Sequence, residues 1–219
     1  MLSPSNKQMY FSLLGISGLC TIIIISVYFF TKPIIEDNLQ QQLERAIFSI
    51  LPGTVFKNAY IKINENTLEK VAKIKKPQTP IYAAYDLNHQ LLGFAITAQG
   101  MGYQDNIQLL YAYDAKKQKI TGMTVLQSRE TPGLGSKIID DKGFLDNFTQ
   151  LDVQLNADNK QLKQIIEVVK PGKKTEAWQI DGISGATVSS KAVGQIIQKS
   201  ISYWAPIIQI NIKQISNEQ

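Results

Sequence analysis

The feature that most constrains this chain is an uncharged run from Met9 to Phe30, reading MYFSLLGISGLCTIIIISVYFF. As a helix it would measure about 33 Å, against a hydrocarbon thickness of about 30 Å. A single membrane span accounts for it, with Tyr10 near one end and Tyr28, Phe29 and Phe30 near the other as interfacial anchors. A cleaved signal peptide is the rival reading. Its apolar core is shorter, about 7–15 residues, and ends at small residues, whereas this run passes into Phe29-Phe30-Thr31-Lys32-Pro33. A lipoprotein cysteine at Cys20 is disfavoured by the bulky Leu19 before it. Lys7 on one side and Lys32 and Arg45 on the other leave orientation undecided by charge. Gly15, Ser17, Gly18 and Thr21 would let a neighbouring membrane helix approach closely, although small residues are common in such spans.

The remainder, in a chain of 219 residues, suffices for one sizeable domain. After the 1–32 N-terminus and anchor, an amphipathic helix over 33–53 is expected to begin at Pro33. Ile35, Leu39, Leu43, Ile47 and Ile50 form its apolar face, Pro52-Gly53 stops it, and packing against the domain or the membrane lipid is its ordinary use. From Ile81 the period changes. Ile81–Tyr85, Leu91–Ala98, Ile107–Tyr113 and Ile120–Gln127 read as strands joined by short polar turns, which favours antiparallel neighbours. A short helix over 141–149, a strand over Ile165–Val169 and a helix over Val188–Trp204, closed by Pro206, complete the pattern. The expected fold class is α+β: one transmembrane helix, then a largely antiparallel sheet flanked by helices over 54–206, with 207–219 as a tail.

Composition closes off several chemistries. Cys20 is the only cysteine, so the chain alone can build no disulfide, iron–sulfur cluster or thiolate metal site. The one histidine, His89, sits in a polar turn. The net charge of +5 is mild, and no basic block interleaved with aromatics points to nucleic acid. Redox chemistry here would need a cofactor that uses neither Cys nor His, and no metal is expected.

The informative stretch is Asp181-Gly182-Ile183-Ser184-Gly185-Ala186-Thr187-Val188-Ser189-Ser190, leading into the late helix. Small residues let a ligand approach the backbone. The first helical turn offers unpaired N–H groups and a positive dipole end to a phosphate. Thr187 puts a hydroxyl at the same place; equally, Ser184 or Thr187 fits a plain helix cap. The ending Gly-Lys-Ser/Thr of a Walker loop is absent.

This stretch resembles the covalent attachment motif Asp-x-x-Ser/Thr-Gly-Ala-Thr-x-Ser/Thr of the FMN-binding domain family, with Asp181, Ser184, Gly185, Ala186, Thr187 and Ser189 matching. The resemblance implies FMN joined by a phosphoester to Thr187, installed by a separate flavin transferase that uses FAD. Ser184, Gly185 and Ala186 would shape the loop, and Asp181 would assist recognition by the transferase. Glu130-Thr131-Pro132-Gly133-Leu134-Gly135 matches a second family element, implied to approach the isoalloxazine ring through Thr131, Gly133, Leu134 and Gly135, with Glu130 supporting the loop. Taken alone, that hexapeptide reads as an ordinary turn. Gly100-Met101-Gly102-Tyr103 is a looser match, and Trp178 is either a flavin neighbour or simply core.

The order of these features is similar to that of the G subunits of Rnf-type electron-transport complexes, related to the C subunits of sodium-translocating NADH:quinone reductases. That resemblance implies an electron-carrier subunit of an ion-translocating ferredoxin:NAD oxidoreductase. It would be anchored in the inner membrane, carry a periplasmic domain and partner other membrane and peripheral subunits, with no catalytic group beyond the flavin. Two alternatives stay open: a stand-alone periplasmic flavin reductase, and a membrane-anchored module that binds a phosphate ligand without a covalent bond.

Overall fold

The computed structural model describes residues 6–64, 66–71 and 79–217. The extreme N-terminus and the last two residues of the expected tail lie outside them. Two compact units divide after Glu44. The first is the N-terminal part of α1 (Asn6–Ile50), in which the apolar side chains from Met9 to Phe30 are exposed and one window is long and apolar enough to cross a membrane. Pro33 lies inside α1, so no separate helix begins there, contrary to the expectation from sequence. A proline removes one intrahelical hydrogen bond. In the turn before it, the Thr31 hydroxyl donates to the carbonyl of Val27 at 2.8 Å, and membrane-type helices tolerate such interruptions.

The second unit, Arg45–Gln219, is the α+β domain. Its strands are β1 (Phe56–Asn64), β2 (Thr67–Val71), β3 (Ile81–Tyr85), β4 (Leu91–Met101), β5 (Asn106–Asp114), β6 (Lys119–Gln127) and β7 (Leu151–Asp152). They form one antiparallel sheet in the order β2-β1-β3-β4-β5-β6-β7. The four central strands stand where the alternation placed them. β1 and β2, absent from the expected pattern, carry Lys57, Lys62 and Lys70 among apolar residues and look like a polar loop. A 3₁₀ turn (Gly135–Ile139), α2 (Lys142–Asp146) and a second 3₁₀ turn (Asn147–Thr149) follow β6. β8 (Glu167–Val169) and β9 (Gln179–Asp181) pair in parallel as a separate small sheet.

Alternation sorts the sheet's two faces. Ile107, Leu109, Tyr111 and Tyr113 of β5 join Phe94, Ile96 and the apolar stripe of α3 (Thr187–Asn217) in the main core. On the reverse face, Ile47, Ile50 and Leu51 are buried; Leu51 lies against Gly93, and Ile50 against Gly122. Of the apolar face drawn over 33–53, Ile47 and Ile50 belong to this unit and are buried in it.

The helix α3 does not stop at Pro206, and residues 207–217 are no tail. Ile207, Ile208 and Ile215 are buried, and Asn211 ties the helix to the β1–β2 turn by donating to the Asn66 carbonyl at 2.7 Å. The Tyr85 hydroxyl donates to the Ile215 carbonyl at 3.1 Å. Burial of that apolar continuation outweighs the loss of one hydrogen bond, about 3 kcal/mol for an interior proline against about 2 kcal/mol or more for each buried isoleucine.

Candidate functional site

Three loops meet where α3 begins. The first is the turn between β4 and β5, the second runs from Glu130 to Gly135 after β6, and the third is Asp181–Ala186. Glu130, 5% exposed, sits at their junction. Its Oε1 accepts the backbone N–H groups of Tyr103 at 2.9 Å and Gln104 at 3.0 Å. Its Oε2 accepts a short hydrogen bond from the Ser189 hydroxyl. The glycines packed on this carboxylate leave no room for a side chain. A Cβ at Gly102 would clash with Oε1, and one at Gly135 would lie 2.6 Å from Oε2 and 2.7 Å from Ser189 Oγ. Of the looser Gly100-Met101-Gly102-Tyr103 match, Gly102 and the Tyr103 backbone N–H lie at this junction, whereas Gly100 packs on Ile196.

The loop from Thr131 to Gly135 is tied into a tight turn. Leu134 N and Ser136 N both donate to the Thr131 carbonyl, at 3.2 and 3.1 Å, and Gly133 N donates to Ser136 Oγ at 2.9 Å. Thr131 Oγ1 lies 3.3 Å from Gln104 Oε1, linking this loop to the β4–β5 turn. Gly133 has φ +73° with open space at its Cβ position, and Leu134 stands 51% exposed. Across from it, Gly185 has φ +80°, and a Cβ there would touch Leu134 Cδ2 at 3.7 Å. The second and third loops, far apart in sequence, therefore face one another at van der Waals range.

The Asp181–Ala186 loop is pinned from behind. Ser190, fully buried, accepts the Ile183 N–H at 3.1 Å and donates to the Ala186 carbonyl at 2.9 Å. Sequence reasoning gave Ser190 no role, since nothing in the pattern separates it from Ser189. The expected alternative of a plain cap by Ser184 or Thr187 does not occur: both are exposed, and among the described residues neither side chain makes a hydrogen bond. Thr187 opens α3, whose first turn carries no acidic residue. A partnerless hydroxyl beside unpaired first-turn N–H groups is an arrangement open to an anion.

Ser189 and Asp181 turn inward rather than toward that opening. Ser189 is buried on Glu130. Asp181 Oδ1 accepts Lys173 N and Lys174 N, both at 3.0 Å, and its backbone N–H donates to Asn147 Oδ1 at 3.0 Å. Lys174 Nζ donates to the same Asn147 oxygen at 3.1 Å. Burial holds the Lys174 ammonium below the usual lysine range, partly offset by the Asp181 carboxylate. Trp178 is half-buried in the β8–β9 region, where its carbonyl accepts Glu167 N at 3.4 Å. Among the described residues, no cluster of His, Cys, Asp and Glu could hold a metal.

Comparison with known proteins bears on the same region. Residues 102–202, which span all three loops, match a family described as FMN-binding domain. The G subunit of the ion-translocating oxidoreductase complex of Aliivibrio fischeri is 32% identical over 84% of this chain and 83% of its own length. Its namesake from Pasteurella multocida is 29% identical over 90% of this chain and 92% of its own. Among solved structures, Shewanella oneidensis NqrC superposes with a TM-score of 0.62, covering 82% of this chain and 98% of that one at 16% identity, a likeness of fold.

Proposed function

Since this chain belongs to the family of G subunits of ion-translocating oxidoreductase complexes, and is thus a membrane-anchored FMN-binding subunit, we propose that it holds FMN by a phosphoester on Thr187 and relays electrons between other subunits. The observation that carries the reading is the bare Thr187 hydroxyl at the start of α3, facing outward while Ser189 and Ser190 are consumed by protein contacts.

The residues present fit such a group. First-turn N–H groups and the helix dipole would receive the phosphate. Ser184, Gly185 and Ala186 keep the approach open, and Leu134 with the Thr131–Gly135 backbone offers an apolar and amide-lined surface for the ring. Asp181 serves this reading by fixing the loop's entry, with recognition by the transferase as its second role. When bound, FMN supplies the electron-transfer chemistry. The chain's own part is to hold it, orient it and prevent its loss.

In maturation, the part of Thr187 would be to offer its hydroxyl oxygen to the FMN phosphate of FAD, with AMP as the leaving group and the hydroxyl proton going to a base of the flavin transferase. The domain then lies on the periplasmic side of the inner membrane, tethered by α1 in lipid. Neither a soluble acceptor site nor a nicotinamide site is part of this reading.

Peptide mapping of the chain coexpressed with a flavin transferase tests it. The peptide containing Thr187 should gain the mass of FMN less water, and the denatured band should fluoresce. Flavin released on denaturation would favour a non-covalent binding module. Flavin retained by a Thr187→Val chain would exclude this residue as the acceptor.

A further inference from the structure

The buried carboxylate of Glu130 has no part in holding a phosphate, and its surroundings are unusual for a charge. All its hydrogen-bond partners are donors: two amides from the β4–β5 turn and one hydroxyl from the first turn of α3. That is the pattern an ionised carboxylate satisfies. Among the described residues no cation lies within ion-pair distance of it; the adjacent Arg129 pairs instead with Asp105 at 3.3 Å. A buried charge is costly unless hydrogen-bonded, and here hydrogen bonds alone hold it. The three loops joined by this one group are those assigned to the flavin.

We infer that Glu130 is a positioning residue that locks the three loops into one seat, and that its fixed negative charge lowers the reduction potential of the flavin held there. This rests on Thr187 as the attachment point. The physics is simple. Reduction adds negative charge to the ring system, and an uncompensated carboxylate in a low-dielectric junction opposes it. Ser189 acts through Glu130. It couples the ring-side loops to the helix end that bears the phosphate, and it does not itself touch the cofactor.

The test uses the full-length chain, coexpressed with a flavin transferase and purified in detergent. Glu130→Gln is close to isosteric: its amide oxygen can keep the Tyr103 and Gln104 amides, and its NH₂ can donate to Ser189 Oγ. It should therefore fold, retain covalent flavin and show a midpoint potential shifted upward. Ser189→Ala keeps the charge and cuts the link to α3. Attachment at limiting transferase should slow roughly tenfold, the effect of one hydrogen bond to a charged group, and amide exchange over 183–190 should quicken. Ser189→Thr, which keeps the hydroxyl, should restore both. A Glu130→Gln flavoprotein with an unchanged potential overturns the electrostatic role. Wild-type attachment and exchange rates in Ser189→Ala overturn the positioning role, including where Glu130→Gln fails to fold. A wild-type chain that gains no mass at Thr187 overturns the underlying reading, and this inference with it.

Discussion

The two sides of the loop junction differ in what their polar groups do. On the inner side, Glu130, Ser189, Ser190, Asn147 and Asp181 are engaged by protein partners. On the outer side, Thr187 and Ser184 have no side-chain hydrogen bond among the described residues, and Leu134 and Val188 stand more than half exposed. A folded protein satisfies its buried polar groups and can leave exposed ones to water. Adjacent positions of one motif therefore serve different ends: Ser189 maintains the fold, whereas Thr187 is available for chemistry.

Breaking each side separately should give opposite signatures. The largest effect is expected for Thr187→Val: complete loss of covalent flavin by mass spectrometry, with thermal stability within about 0.5 kcal/mol of wild type, as for other exposed substitutions. Glu130→Ala should do the reverse. It leaves the Tyr103 and Gln104 amides without their acceptor and should cost about 3 kcal/mol in denaturant unfolding of the apo chain, while the Thr187 hydroxyl remains.

The inner side extends along α3 to Tyr111, whose hydroxyl shares a 2.8 Å hydrogen bond with Ser200. Burial pushes the Tyr111 phenol well above its ordinary range, with Ser200 opposing, and burial does the same to Tyr113. Both groups have folded pKa values above their unfolded ones, so their contribution to stability is intact below about pH 10 and is lost as pH rises beyond it. Each should remove up to about 1.4 kcal/mol per pH unit above that point. Tyr111→Phe should flatten the decline measured by alkaline urea titration.

Smaller effects sharpen the boundary. Gly185→Ala should cost about 1 kcal/mol, because φ +80° disfavours any side chain, and should slow attachment. Leu134→Ala should change stability by no more than about 0.5 kcal/mol, yet alter the fluorescence of attached flavin. A large loss of stability there would place Leu134 on the inner side after all.

Much of this was legible from the chain itself. The uncharged Met9–Phe30 run, the four central strands and the loop before Thr187 carry local signals: absence of charge, alternation, and small residues before a helix, whereas the Glu130–Gly135 loop stands out only through the family resemblance. β1 and β2 were not legible, because strands interrupted by Lys57, Lys62 and Lys70 lack a clean period and exist by pairing with β3 and with each other. Pro33 and Pro206 misled in the same way. Each reads as a boundary, but each lies within a continuous helix.

The order of residues alone closes off disulfide, iron–sulfur and thiolate metal chemistry and sets a hydroxyl, glycines and a helix start side by side; FMN and its phosphoester are what the family resemblance adds. Which hydroxyl is available emerges only on folding. Thr187, Ser189 and Ser190 are near neighbours in the chain, but the turn of α3 directs two of them into a junction closed by Glu130 and the Ile183–Ala186 backbone. Helical periodicity separates positions that a linear motif sets side by side, and burial then assigns the inward ones to the fold.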